Sequence, residues 1–316
     1  MAFTSKVGYW SRRFKSSLNS SSSNDSSDNY LGNYLAGLIE GDGSIIVPKT
    51  IRNQKGKLLY PVVKITFVKK DAPLAQKIME VIKGGTIVYP KDSNYLDLLF
   101  QDLKSIKNIA VLLNGNMRTP KIEALHRLID WLNARTTDGF KIYKLGLDNS
   151  WLGSNPWLSG FIESDGNFYC EFKLNSEEIA TIIKGYMRVS QKQSYKSTTI
   201  ISKNHSNFYI MDKIRDFLDV KIVTKIKRNK PNYMELAYEV RTTKKLSCDI
   251  LINYLTNFPL FSSKHQDFLD WSEVHHIRIS KKYKSLDGTS KLISLKNSMN
   301  TKRTQFNWDS LNRFYC

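Results

Sequence analysis

The sequence predicts an α+β protein of two related domains, each a four-stranded antiparallel sheet backed by helices. Three observations carry this. A nine-residue pattern occurs twice, as "LAGLIEGDG" at residues 35–43 and "LSGFIESDG" at residues 158–166. Each copy reads as an apolar helix ending in acids, Glu40 and Asp42 in one and Glu163 and Asp165 in the other. After each copy the hydrophobic periodicity spells the same order, α-β-β-α-β-β-α-α, and a repeat at domain spacing governs the fold.

The elements follow in sequence. Gly43 reads as the terminator of the first motif helix. The strand after each motif is "SIIVPK" or "NFYCEFKL"; in the latter Phe168, Cys170, Phe172 and Leu174 alternate with Tyr169, Glu171 and Lys173, the period of a half-buried strand. Second strands are "YPVVKITFVKK" and "KGYMRVSQK", followed by the amphipathic helices "DAPLAQKIMEVIK" and "NFYIMDKIRDFLD". Third and fourth strands are "GTIVYP" and "NYLDLLFQ" in one half, "VKIVTKIKR" and "YMELAYEVRT" in the other. The closing helices correspond too, "TPKIEALHRLIDWLNAR" matching "SSKHQDFLDWSEVHHIRI". The domains are thus expected at residues 30–135 and 155–280. A glycine-bearing linker at 136–154 joins them, and a basic, polar tail follows at 281–316.

Residues 1–29 are set apart. "SSLNSSSSNDSSDN" is too polar to pack and is expected to be disordered. The basic, acid-free stretch before it fits an organellar transit peptide, and equally an unused translated leader. No apolar run approaches a membrane span. Three dispersed cysteines and five histidines give no disulfide framework or zinc spacing.

Charge identifies the partner class. Of 316 residues, 48 are Lys or Arg against 29 Asp or Glu, a net charge of +19, which calls for a polyanion. In "VKIVTKIKR", Lys221, Val223, Lys225 and Lys227 alternate with Ile222, Thr224 and Ile226. A lysine-lined sheet face suits phosphates and base edges. Lys64, Lys184, Arg188, Lys192 and Arg241 on neighbouring strands extend that expected nucleic-acid surface.

Small residues four apart, Gly37 and Gly41 in one motif and Gly160 and Ser164 in the other, fall on one helix face and permit close backbone approach. The two motif helices are therefore expected to pack together as the domain interface, bringing Asp42 and Asp165 near each other. Two carboxylates converging at helix C-termini repel, on top of the unfavourable dipole. A divalent cation reverses that cost, and oxygen-only donors favour Mg²⁺, with Mn²⁺ or Ca²⁺ as substitutes. Such a site suits phosphodiester hydrolysis. Helical spacing leaves open which acid of each pair is the ligand: Glu40 lies nearer the Gly37/Gly41 face, but Asp42 sits where the chain leaves the helix.

With the two motifs and the repeated element order in view, residues 33–279 resemble a double-motif, single-chain LAGLIDADG homing endonuclease of the organellar group I intron type. The resemblance implies that Asp42 and Asp165 are the metal ligands and that Glu40 and Glu163 are structural. It implies a lysine near the start of a late helix in each half, Lys264 in "FPLFSSKHQDFLDW" and Lys121 in "LNGNMRTPKIEALHRLIDW", able to order water or neutralise transition-state charge. It also implies a water-orienting glutamine at the end of the second strand. Gln191 fills that place, with Lys69 in the matching place of the first half. A mitochondrial monomer cutting a long asymmetric double-stranded DNA target, with short 3′ overhangs, is the implied function.

The leading alternative is a group I intron RNA maturase, acting alone or beside cleavage; retention of both acids favours cutting without excluding splicing. An intein is disfavoured because no His-Asn dipeptide precedes a terminal nucleophile, and a transcription factor needs no acids at both helix ends.

Overall fold

A computed structural model describes residues 23–135, 139, 141–195, 205–229 and 233–315. The first half runs α1 (Ser23–Asp42), β1 (Gly43–Ile46), β2 (Val62–Val68), α2 (Ala72–Ile82), β3 (Thr86–Val88), β4 (Tyr95–Phe100), α3 (Leu103–Leu113) and α4 (Ile122–Asn133). The second repeats it with α5 (Trp157–Asp165), β5 (Gly166–Leu174), β6 (Ala180–Lys192), α6 (Phe208–Phe217), β7 (Thr224–Asn229), β8 (Met234–Thr242), α7 (Lys245–Asn257) and α8 (Lys264–Ile279). A further helix, α9 (Leu286–Ser298), follows. The sheets are antiparallel throughout, ordered β1-β2-β4-β3 and β5-β6-β8-β7.

Directly opposed residues of an antiparallel ladder share a face, so register separates the covered face from the open one. Phe168, Met187, Val189 and Val240 lie on the helix-covered side of the second sheet, and Val63, Ile65, Leu98 and Phe100 on that of the first, all buried. Tyr169, Tyr186, Arg188 and Arg241 occupy the open face of the second sheet.

α1 and α5 form the central seam. Residues 31–40 are all buried, so α1 is enclosed on every side rather than amphipathic. A β-carbon on Gly37 would lie 2.0 Å from the Trp157 carbonyl oxygen, and one on Gly160 would lie 2.0 Å from that of Tyr34. The helices touch backbone to backbone.

Several details differ from the sequence reading. α1 begins at Ser23, inside the stretch expected to be disordered, while residues 1–22 lie outside the described residues. Gly43 ends α1 without a left-handed cap, because the chain passes straight into β1; glycine is needed there since a β-carbon would sit 2.6 Å from Ile39 Cα. β7 starts at Thr224, so Lys221 and Val223 precede the strand. The segment after Ser280 is folded: Leu292, Leu295, Met299 and Phe314 are buried, and Arg303 pairs with Asp267 and Asp270 on α8. The apolar residues of this segment are sparse, and four of them reach the core while Leu286 and Ile293 stay exposed, a division that composition alone hides.

Candidate functional site

Asp42 and Asp165 stand at the C-terminal ends of α1 and α5, each where its chain passes into the first strand of a sheet. Their proximity follows from the helix seam: a β-carbon on Gly41 would lie 2.9 Å from Asp165 Oδ2 and would overlap the Ser164 hydroxyl. Burial, reinforced by the charge of Asp42, pushes the Asp165 carboxyl up to about 7. Burial likewise raises Asp42, while Lys264 and then Lys121 oppose the rise. Gln191 Nε2 donates to Asp165 Oδ2 at 2.9 Å and fixes that oxygen.

The lysines arrive by a shared device. Glu40 is 2% exposed and accepts from the Thr119 amide and hydroxyl (both 2.6 Å), the Arg118 amide (2.9 Å) and, across the seam, Trp157 Nε1 (2.6 Å). Glu163 accepts from the Phe261 amide, the Ser262 amide and hydroxyl and, across the seam, the Tyr34 hydroxyl at 3.2 Å. Each motif glutamate therefore anchors the loop that delivers a lysine. Lys121 Nζ donates to the carbonyls of Ile39, Glu40, Gly41 and Gly43 at 2.8–3.3 Å. Lys264 Nζ donates to those of Ile162, Glu163 and Ser164. An ammonium on the carbonyl end of each helix offsets the dipole that made the acids unfavourable there. Burial pushes the Lys121 ammonium down, against the pull of Glu40, Asp165 and Asp42.

The register relocates some expected residues. Gly43 pairs with Ile65 as Gly166 pairs with Val189, so the first-half counterpart of Gln191 is buried Phe67, not Lys69. Lys69 lies two residues further on, in a 3₁₀ turn spanning Lys69–Asp71. Lys225 and Lys227 oppose Tyr238 and Leu236, which places them on the side of Val240, away from Arg188 and Arg241. β7 is an edge strand with no buried side, so its own alternation could not say which way it faced. The open face of the second sheet carries Lys173, Lys184, Arg188, Lys192, Arg228 and Arg241 against Glu171, Glu235 and Glu239. On the open face of the first, Lys64 and Asp97 are the charged residues among the described strands, and they pair at 3.5 Å.

Sequence reasoning passed over three residues. Arg228 meets Ser190 and Glu235 on the open face and draws the Asp165 pKa down. Asp71, 6% exposed, accepts from the Ser263 amide at 2.8 Å and ties the halves together. Glu239, 4% exposed, sits under two arginines. Only Arg228 had a signal: it continues the Thr224/Ile226 alternation.

A cleft of about 270 Å³ next to the helix ends is lined by Glu40, Gly41, Gly43, Lys121, Gln191 and Lys192. Among the described residues no group of three or more His, Cys, Asp or Glu side chains could hold a metal. Two carboxylates are thus the full acidic donor set here. That fits a cation which keeps several waters and takes its remaining oxygens from a substrate phosphate, as Mg²⁺ does.

Two abutting helices ending in paired carboxylates, each leading into a four-stranded antiparallel sheet, define a double-domain LAGLIDADG protein. The LAGLIDADG endonuclease family model matches residues 35–132 and 158–275, and the chain belongs to that family. It is 30% identical over 308 residues to the intron-encoded DNA endonuclease aI3 of Saccharomyces cerevisiae, spanning 90% of this chain and 73% of that protein. It is 26% identical over 152 residues to the intron-encoded RNA maturase bI4 of the same yeast, covering 47% of this chain and 21% of the maturase. Its fold is similar to that of I-SmaMI bound to an uncleaved DNA target in the presence of calcium ions, with a TM-score of 0.60 at 17% identity, covering 85% and 98% of the two chains. Among the described residues, no helix is long and apolar enough to cross a membrane.

Proposed function

We propose that this protein is a site-specific homing endonuclease making a divalent-cation-dependent double-strand break in a long, asymmetric DNA target. The observation that carries this is the pair Asp42 and Asp165, brought together at the ends of two helices whose seam admits nothing larger than glycine at Gly37 and Gly160. Both carboxylates come from one chain, so a monomer holds the whole site.

Asp42 and Asp165 would hold Mg²⁺, Mn²⁺ or Ca²⁺. When bound, such a cation lowers the pKa of water and stabilises charge on the attacking and leaving oxygens. Gln191 holds Asp165 in one rotamer. Lys121 and Lys264 fix the helix ends and supply positive charge beside the carboxylates, where phosphorane charge develops. Phe67 in place of a second glutamine makes the two halves chemically unequal, so the two strands are expected to be cut at different rates. Lys184, Arg188, Lys192, Arg228 and Arg241 face the groove, with Lys64 in the first half. Similarity to intron-encoded endonucleases supports a mitochondrial intron origin.

The test is incubation of the purified protein with Mg²⁺ and a randomised double-stranded DNA library. Selected cleavage with short 3′ overhangs is expected, absent in Asp42→Asn. A protein that binds a target but leaves both strands intact with Mg²⁺ overturns the catalytic reading. A second role in intron splicing is favoured by the similarity to an RNA maturase. Asp42→Asn/Asp165→Asn protein should then retain splicing assistance, because RNA binding does not require the carboxylates.

A further inference from the structure

The two open sheet faces differ in chemistry, and the difference is one that bases can read. On the second sheet Arg188 and Arg241 are direct cross-strand partners. Buried Glu239 accepts from Arg241 at 2.6 Å and lies 3.8 Å from Arg188. The Arg241 guanidinium also lies 4.4 Å over the Tyr186 ring, which stacks on Tyr169 at 4.6 Å. Both arginine side chains remain 41–46% exposed. A phosphate contact needs only positive charge, and a glutamate beneath two arginines reduces it. A base contact needs orientation, which a carboxylate and an aromatic ring provide before binding. Two planar forks held side by side match the O6/N7 edge of guanine in the major groove.

The first sheet offers the opposite surface. Ile46, Val68, Val88 and Tyr95 project from its open face at 40–54% exposure. Its Lys64 and Asp97 neutralise each other. Apolar groups contact the thymine methyl and give guanine no donor.

Resting on the DNA-cleaving reading above, we propose that the two halves of the target differ in composition. The half-site under the second sheet carries guanine opposite Arg188 and Arg241, and the half-site under the first is rich in A·T pairs read through thymine methyls. Glu239 is then a positioning residue for base discrimination.

The experiment is a library selection with the full chain, sequencing the DNA it selects, repeated with Arg188→Gln/Arg241→Gln, Glu239→Gln and Ile46→Ser/Val68→Ser proteins. All but Glu239 are well exposed, and melting curves check each fold. The arginine variant should lose guanine preference by about 5- to 100-fold per position in one half-site only. Glu239→Gln should weaken the same preference while leaving affinity for non-specific DNA equal or higher. The apolar variant should relax thymine preference in the other half-site. Uniform weakening across all sequences by the arginine variant would mean phosphate contacts and overturns the proposal, as would two half-sites of like composition. Failure to bind any DNA overturns both this and the endonuclease reading; a specific target without the asymmetry overturns this alone.

Discussion

Gly160 lies so close to Tyr34 that a β-carbon at residue 160 would stand 2.0 Å from the Tyr34 carbonyl oxygen, and Gly37 bears the same relation to Trp157. The contact is backbone against backbone, so no side-chain rotation relieves it. Gly37→Ala and Gly160→Ala should each destabilise the protein by about 1–3 kcal/mol or more, the range for overpacking. Thermal melting checks this, with Gly185→Ala as the control. A β-carbon at residue 185 meets its nearest neighbour at 3.8 Å, an ordinary contact, and should shift the midpoint little.

Removing one carboxylate should separate binding from cleavage. Asp165→Asn keeps the shape and the reach of Gln191 while deleting a charge. Strand cleavage should fall by at least about 100-fold, as for loss of a transition-state-stabilising group, with target affinity in a gel-shift assay within a few-fold of wild type.

The metal-free protein should grow less stable as pH rises from about 4 to about 7. The sign follows from Asp165, whose folded pKa of about 7 exceeds its ordinary value of 3.8. The folded state then holds a proton that the unfolded chain releases, so this group's contribution is lost as pH climbs through that window. Each unit of difference is worth about 1.4 kcal/mol. Asp165→Asn should flatten the profile, and so should added divalent cation. Denaturation midpoints at several pH values decide; a profile unchanged in the variant would remove Asp165 as its source.

Lys121→Met retains the aliphatic stem and deletes the ammonium that four carbonyls share. Losing a group that orients metal-binding side chains typically costs 10- to 100-fold in metal affinity or activity, and a loss of about that size is expected here. Metal titration of cleavage rate measures it, and metal-free DNA binding should change little.

Phe314 tests the terminal segment. Its ring packs edge-on against Tyr34 at 5.6 Å and Phe261 at 4.9 Å, joining the motif helix of the first half to the lysine-bearing loop of the second. Phe314→Ala should cost about 3–5 kcal/mol, the usual range for a buried aromatic, read as a lowered melting temperature.

The sequence by itself determined the repeated element order, the family and the small-residue spacing that makes a helix seam possible, because hydrophobic period and glycine placement are local signals. It left open which acid of each motif faces the site. The tertiary structure adds that Glu40 and Glu163 are consumed by loop amides, hydroxyls and a residue across the seam, while Asp42 and Asp165 end the two helices, which supports the aspartates as the ligands. It also decided that Lys225 and Lys227 turn away from the open face and that Phe67, not Lys69, is the first-half counterpart of Gln191. The physical reason is register. A ladder slip of one residue reverses every side chain of a strand, and an exposed edge strand such as β7 carries no apolar pattern that fixes its register from sequence. The packing of the segment after Ser280 was illegible for a related reason: a few inward-facing residues among many polar ones become a core only once α8 is there to receive them.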